Sequence, residues 1–166
     1  GLLTARPTDA AAKDLWVLRL RGISRLSTAS ALERELERLP RERVAELRGE
    51  VARSIYGLAQ RLETPGAGSA PMRKCARELY ERLIKDYRDT GEGRKAVLRS
   101  GELLLDDGEL ALAAERFELA TRVAAGPERG HAYSRLLYVL EQLATHGPAA
   151  GRESARRDFI RVAWRT

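Results

Sequence analysis

The 166-residue chain contains one cysteine, two histidines and no asparagine, and aromatic residues make up only 5% of it. A disulfide within the chain is excluded, because Cys75 has no second cysteine to pair with. The helical spacing between Cys75 and Leu79 predicts that the thiol packs in the core as a small hydrophobic group. One cysteine and the distant His131 and His146 do not make a metal-ligand cluster, so no metal is expected.

Catalytic motifs are missing as well. The chain has no glycine-rich phosphate loop, no catalytic-triad spacing and no paired-carboxylate motif. Asp106, Asp107 and Glu109 are similar to part of a cation loop, but an Asp-Gly turn explains them. An EF-hand would need more oxygen ligands at fixed spacing. We therefore expect a protein that is not an enzyme and that uses no cofactor.

Long apolar runs are also absent. No stretch approaches the roughly 20 residues that a membrane-spanning helix needs, and no basic-then-apolar leader is visible at the start of the chain. A leader removed before Gly1 would leave the same sequence. We expect no membrane span, and the compartment stays open, with the cytoplasm slightly favoured and the periplasm an alternative if a leader was removed.

The chain is rich in charge, with 30 lysine and arginine residues against 24 acidic ones. The excess lies at the ends, because residues 1–26 and 149–166 each hold five basic and two acidic side chains. A nucleic-acid-binding helical array would instead favour a basic stripe over several repeats. We expect the C-terminal arginines to form a solvated helix face. The alternative is that they bind an acidic partner or nucleic-acid phosphate. That patch consists of Arg152, Arg156, Arg157, Arg161 and Arg165.

Apolar residues recur at helical spacing along most of the chain, which predicts an all-α fold of about seven to eight helices. Leu15 and Leu18 share a face of the first helix with Ala11, and an adjacent stripe consists of Trp16, Leu20 and Ile23, so this helix is expected to be contacted on two sides. The spacing of Ser30 and Glu33 predicts a capping box. The longest signal predicts one helix over 41–62. It consists of six apolar side chains at steps of three and four: Val44, Leu47, Val51, Ile55, Leu58 and Leu62.

We expect a single helical-repeat domain over residues 1–166. Its predicted parts are divergent N-terminal helices over 8–62, a flexible loop over 63–71, a repeat core over 72–127 and C-terminal capping helices over 128–166. Proline and glycine between Thr64 and Pro71 indicate the loop, and Gly126-Pro127 is predicted to end the preceding helix.

Two segments repeat at an offset of 37 residues. Residues 76–83, ARELYERL, align with residues 113–120, AAERFELA, so that alanine, glutamate, an aromatic residue and glutamate coincide. A period in the thirties that contains two helices is typical of a helical solenoid. The small residue lets two helix backbones approach, and the aromatic side chain four residues later fills the next groove. One hairpin cannot bury that face alone, so neighbouring hairpins are expected to stack.

The hairpin over 101–127 resembles the tetratricopeptide repeat. Five positions match that family's small first-helix residue, turn glycine and second-helix signature: Gly101, Gly108, Ala113, Phe117 and Ala120. Residues 72–91 match in part, and the phrase over 80–89 is similar to bacterial members that work in envelope assembly. One subtype of this family binds C-terminal carboxylates through asparagines. The chain contains no asparagine, so we do not expect it to belong to that subtype.

This resemblance implies a right-handed α-solenoid of antiparallel hairpins whose first helices line a concave groove. The chain would then be a scaffold or adaptor that binds a peptide or a partner helix. Alternatives are a regulatory or docking domain of a larger protein or complex, and nucleic-acid or acidic-partner binding through the basic terminal helices. The residues that would face the groove are Lys95, Leu98, Glu102 and Leu105, and, at an offset of 36, His131, Tyr138 and Glu141.

For His131, Trp16 and Trp164, a structural role is weighed against a role in binding a partner. His131 is either a groove contact or a solvated or capping histidine at a helix start. Trp16 is expected in the core. Trp164 is expected to pack the last helix onto its neighbour, and anchoring of a partner is the alternative.

Overall fold

The computed structural model describes residues 9–26, 28–63 and 70–164, and every regular element in these ranges is an α-helix. The predicted all-α class is therefore confirmed. The nine helices within these ranges are α1 (Asp9–Leu26), α2 (Ala29–Arg38), α3 (Arg41–Val44), α4 (Arg48–Glu63), α5 (Ala70–Asp86), α6 (Gly91–Asp106), α7 (Leu110–Val123), α8 (Gly126–His146) and α9 (Ala149–Ala163).

The described residues form one helix more than the predicted seven to eight, because the longest predicted helix is interrupted. A turn over 45–47 separates α3 from α4, so a single helix over 41–62 is wrong. The Leu47 N–H still donates to Arg43 O and the Val51 N–H to Leu47 O, both at 2.9 Å. Leu47 and Val51 thus keep their spacing and are buried, whereas Val44 is exposed. The apolar spacing continues across the turn over 45–47, so the sequence pattern did not indicate that the helix is broken there.

Two predicted helix ends differ from the structure. The N-cap of α2 is Thr28, without a side-chain capping hydrogen bond, so the capping box at Ser30 is wrong. Pro127 does not end α7 but lies in the first turn of α8. Proline is tolerated in the first turn of a helix, because the first N–H groups there have no intrahelical acceptor.

The loop predicted over 63–71 is mostly outside the described residues. Residues 64–69 belong to that undescribed part. Glu63 is the last residue of α4, and Ala70 and Pro71 are the first residues of α5.

The chain divides into two compact units, Gly1–Glu92 and Gly93–Thr166. In the first unit, α4 packs against α1 and α5. Leu15 and Leu18 are 55% and 66% exposed, so the contact predicted on their side of α1 is wrong, whereas Leu20 of the adjacent stripe is fully buried. The unit's largest fully buried side chains include Leu20, Leu32, Leu47, Ile55, Leu58, Tyr80 and Leu83.

The second unit is formed by α7, α8, α9 and the part of α6 from Gly93 onward. The turn between α6 and α7 contains Gly108 at a φ of 77°, a backbone conformation that glycine adopts without steric cost. This agrees with the Asp-Asp-Gly turn expected there. The core of the unit consists of Leu104, Ala113, Phe117, Leu136, Val139, Leu140 and Val162.

The corresponding positions of the 37-residue repeat are buried in both segments. Ala76 and Tyr80 are fully buried in α5, and so are Ala113 and Phe117 in α7. The small and aromatic residues therefore do pack as the repeat predicts. A right-handed solenoid built from such hairpins stays a prediction.

A close approach of α6 to α7 depends on Gly101. A β-carbon at this position would lie 2.8 Å from Phe117 Cε1 and 3.0 Å from Cδ1. Phe117 is fully buried in the core of the second unit, so its ring has no open space into which to move. The missing side chain of Gly101 is what allows the phenyl ring to lie directly against the α6 backbone.

We predict that Gly101→Ala destabilises the second unit. Overpacking of a core costs about 1–3 kcal/mol, and alanine's better helix propensity returns about 1 kcal/mol at most. The net loss should be up to about 2 kcal/mol, measured as the free energy of unfolding in urea.

Gly130→Ala is the matched control, because Gly130 is exposed on α8 in the same unit and a β-carbon there meets nothing within 4 Å. This variant should be as stable as the original or more so. Equal stability of the Gly101 and Gly130 variants would contradict the close packing.

Candidate partner-binding surface

The predicted groove residues of the second unit lie on two helices. Lys95, Leu98, Glu102 and Leu105 follow one another along one side of α6, and His131 and Tyr138 lie on α8. Lys95, His131 and Tyr138 are exposed. Leu98, Glu102 and Leu105 are half-buried, and both leucines pack against the core. We call these six residues the α6–α8 surface.

A contact between Glu102 and His131 joins the two helices. Glu102 Oε1 lies 3.1 Å from His131 Nε2. Arg99, one turn earlier on α6, donates to the other carboxylate oxygen, Oε2. The Glu102 side chain is 19% exposed and the His131 side chain 45%. The carboxylate is thus held in place from two sides, while the imidazole reaches solvent.

The electrostatics of Glu102 follow from these neighbours. Partial burial is the largest single influence and pushes the pKa of its carboxyl up, because desolvation disfavours the charged form. Hydrogen bonds from His131 and Arg99, together with charge interactions with the same two side chains, outweigh burial and lower the pKa below its ordinary value. Glu102 is therefore a carboxylate at neutral pH.

Arg99 was missed as a member of the surface. The sequence prediction selected positions by the repeat pattern, and that pattern does not include residue 99. Its spacing of three residues from Glu102 was the available signal, because oppositely charged side chains at this spacing on a helix are neighbours.

The contact between α6 and α8 joins Glu102 to His131, which is 29 residues further along the chain. Lys95 is seven residues from Glu102 along α6, and Tyr138 is seven residues from His131 along α8, about 10 Å in each helix at 1.5 Å per residue. The structure brings Glu102 and His131 together, and the groove assignment of the six residues stays a prediction.

The structural roles expected for four single side chains agree with the structure only in part. His131 lies in the second turn of α8, so it does not cap the helix. Trp164 is 87% exposed, and the prediction that it packs onto a neighbouring helix is wrong. Trp16 is half-buried, with the Arg19 guanidinium 5.1 Å from its ring centre. Cys75 is half-buried rather than fully enclosed.

The basic patch on α9 is partly occupied by contacts within the unit. Arg152 donates to Gly147 O at 2.8 Å, and Arg161 lies 3.0 Å from Asp158. Arg156 and Arg157 are exposed. The fifth predicted member, Arg165, lies outside the described residues.

Over the described ranges no three histidine, cysteine, aspartate or glutamate side chains are grouped so that they could hold a metal ion. Nor does any helix there combine the length and apolar character needed to cross a membrane.

The polar contact predicts a pH dependence. Because the pKa of Glu102 is lower in the folded protein than its ordinary 4.5, its charged form stabilises the fold above that pH. This contribution is lost as the pH falls through the folded-state pKa. The original chain should therefore be more stable than Glu102→Gln at pH 7, and the difference should shrink below about pH 4.5.

Urea unfolding of both proteins at several pH values between 3 and 7 measures this difference. A difference that stays constant, or grows as the pH falls, would contradict the role of the Glu102 carboxylate.

Comparisons of the chain with protein-family models, with curated proteins and with solved structures gave no match.

Proposed function

We propose that the chain is a non-catalytic interaction module and that its α6–α8 surface binds a peptide or a partner helix. The observation that carries this proposal is the Glu102–His131 contact between half-buried leucines on α6 and an exposed tyrosine on α8. A fixed polar pair with apolar side chains beside it is the usual composition of a recognition surface.

Each part of the surface has a physical role in binding. Tyr138 is 47% exposed and offers a rigid ring with a polar tip, the kind of side chain that is enriched among binding hot spots. Leu98 and Leu105 would lose their remaining water contact under a ligand. Lys95 supplies a positive charge at one end of the surface, which would set the direction of a bound peptide.

The imidazole of His131 adds a polar contact that a ligand could use. When Nε2 carries the proton and donates to Glu102, Nδ1 is an acceptor. An acceptor on an exposed ring is suited to a backbone N–H of a bound peptide. Glu102 then orients the ring and is a positioning residue.

The length of the surface fits a short segment. On α6 it runs from Lys95 to Leu105, which is about 15 Å of helix. This distance corresponds to about four residues of extended peptide or about three turns of helix. In this proposal the chain is one part of a tetratricopeptide-like array, and it acts as a scaffold or adaptor alone or inside a larger protein.

The arginines of α9 carry less of the function. Arg152 and Arg161 already have partners within the unit, which leaves fewer side chains for phosphate contacts. Nucleic-acid binding depends on several such contacts and on their summed charge.

The proposal is tested with peptide ligands selected from a random display library on the intact protein. Tyr138→Ala should weaken the selected peptides by about tenfold or more, the loss expected of a hot-spot aromatic residue. Lys95→Ala and Glu102→Gln should weaken them less, and the measurement is fluorescence anisotropy with labelled peptide.

Arg122→Ala is the control, because Arg122 is exposed on α7 and pairs only with Glu118 on its own helix. Its affinity should match that of the original chain. Selected peptides that bind the Lys95, Glu102 and Tyr138 variants with undiminished affinity would refute the placement of the site.

A further inference from the structure

A second surface of the same unit lies outside the α6–α8 surface. It is a cavity of about 470 Å³ that is lined by α7, α8 and α9. None of the six residues of the α6–α8 surface lines it. We call it the α7–α9 trough and propose that it docks a cationic amphipathic helix.

The floor of the trough is apolar. Leu136 and Leu140 of α8 and Val162 of α9 line it, and all three belong to the core of the unit. Leu143 extends the floor by one turn of α8. A ligand that covers these side chains would enlarge the existing core, and each square ångström of apolar surface removed from water contributes about 25 cal/mol.

The walls of the trough are formed by small residues. Ala111 and Ala114 line it from α7, and Gly151, Ser154 and Ala155 line it from α9. Their spacing of three and four residues places each set on one face of its helix. Short side chains along both walls leave room for a third helix backbone to approach the two, which a thin extended strand or a compact small molecule would not use.

The length of the trough also suits a helix. On α9 the lining runs from Gly151 to Val162 and on α7 from Ala111 to Glu118. At 1.5 Å per residue these segments measure about 16 Å and about 10 Å. A helix of two to three turns therefore fits between α7 and α9, above α8, as the fourth member of a bundle.

The charges on the rim decide the sign of the ligand. The charged lining residues are Glu115 and Glu118 on α7 and Asp158 and Arg161 on α9. Three are acidic and one is basic, although the whole chain carries a net charge of +6. Arg161 lies 3.0 Å from Asp158, and Arg122, which does not line the trough, lies 2.7 Å from Glu118, so these two acidic charges are each partly offset. Glu115 contributes the remaining negative charge of the rim. A helix with lysine or arginine on both flanks of its apolar face would be complementary to this rim.

The occupant is tested with two synthetic helical peptides of about 18 residues, an estimate of the length needed for a stable solution helix. Both carry leucine at helical spacing, and the other positions are lysine in one and glutamate in its counterpart. The lysine peptide should bind the intact protein in the micromolar range, and the glutamate peptide should bind at least about tenfold more weakly. Simple attraction to the +6 chain predicts the reverse order, so the comparison separates local from overall charge.

The location is tested by charge reversal. The double variant Glu115→Lys, Glu118→Lys should weaken the lysine peptide by about tenfold or more, and added salt should narrow the difference. The matched control is Glu141→Lys, Glu153→Lys, which changes the overall charge equally at two exposed positions outside the trough. The control should leave the affinity within about twofold of the original.

A steric variant gives a readout that does not depend on charge. Ala111 is exposed on the wall, so Ala111→Trp should fill the trough without disturbing the core. It should weaken the lysine peptide at low and high salt alike. Ala150→Trp, at an exposed position of α9 that does not line the trough, is its control. Circular dichroism shows that each variant is folded.

Several results would overturn the proposal. These are a glutamate peptide that binds as well as the lysine peptide, no binding of either up to about 1 mM, or equal losses in the trough variants and their controls. Concentration-dependent dimerisation of the protein alone that Ala111→Trp abolishes would assign the trough to a second copy instead. Peptides selected for the α6–α8 surface should keep their affinity in the trough variants, so the two sites are judged separately.

Discussion

The second unit depends on one short distance, that between the α6 backbone at Gly101 and the ring of Phe117. A β-carbon at Gly101 would lie 2.8 Å from that ring, so the two helices pack closer than any other residue would allow. Phe117 in turn contacts a core shared with α8 and α9. Because interiors are packed at crystal-like density, a displacement of α7 would be passed on to its neighbours.

This packing determines what the surface of the unit can do. With the hairpin of α6 and α7 held firmly, α8 lies where His131 reaches Glu102 at 3.1 Å. The pair connects two helices that are far apart in sequence, and Arg99 neutralises the second oxygen of the carboxylate. The core therefore supports a preorganised polar contact, and preorganised groups bind a ligand without a further ordering cost. On the other helices the same core extends to the floor of the α7–α9 trough, so both proposed sites depend on one set of buried side chains.

The helices and much of the core could be predicted from the sequence, because burial of apolar residues at helical spacing is a local rule. Ala113, Phe117 and Ala120 were expected inside and are fully buried. Features that depend on hydrogen bonds or on helix placement were not predictable in this way. The break over 45–47 preserves the apolar spacing, so the pattern could not show it. Leu15 and Leu18 had helical spacing too, but their exposure depends on which side of α1 meets α4.

The contact between α6 and α8 was not predictable from the sequence. Lys95 and Glu102 were chosen from the resemblance to a repeat family, and His131 and Tyr138 from an offset of 36 residues, which does not determine which residues of two helices meet. The helix starts Gly91 and Gly126 are 35 residues apart, yet the contact joins residues only 29 apart. Periodicity contains no information about how two helices are staggered, so the contact between Glu102 and His131 required coordinates.

The central claim is that the α6–α8 surface is where the chain meets its partner. Backbone amide chemical shifts, recorded by NMR as a selected peptide is titrated into the labelled protein, test it most directly. The account predicts that the largest changes cluster along α6 from Lys95 to Leu105 and along α8 from His131 to Tyr138. Changes confined to the first unit, or to the arginines of α9, would contradict it.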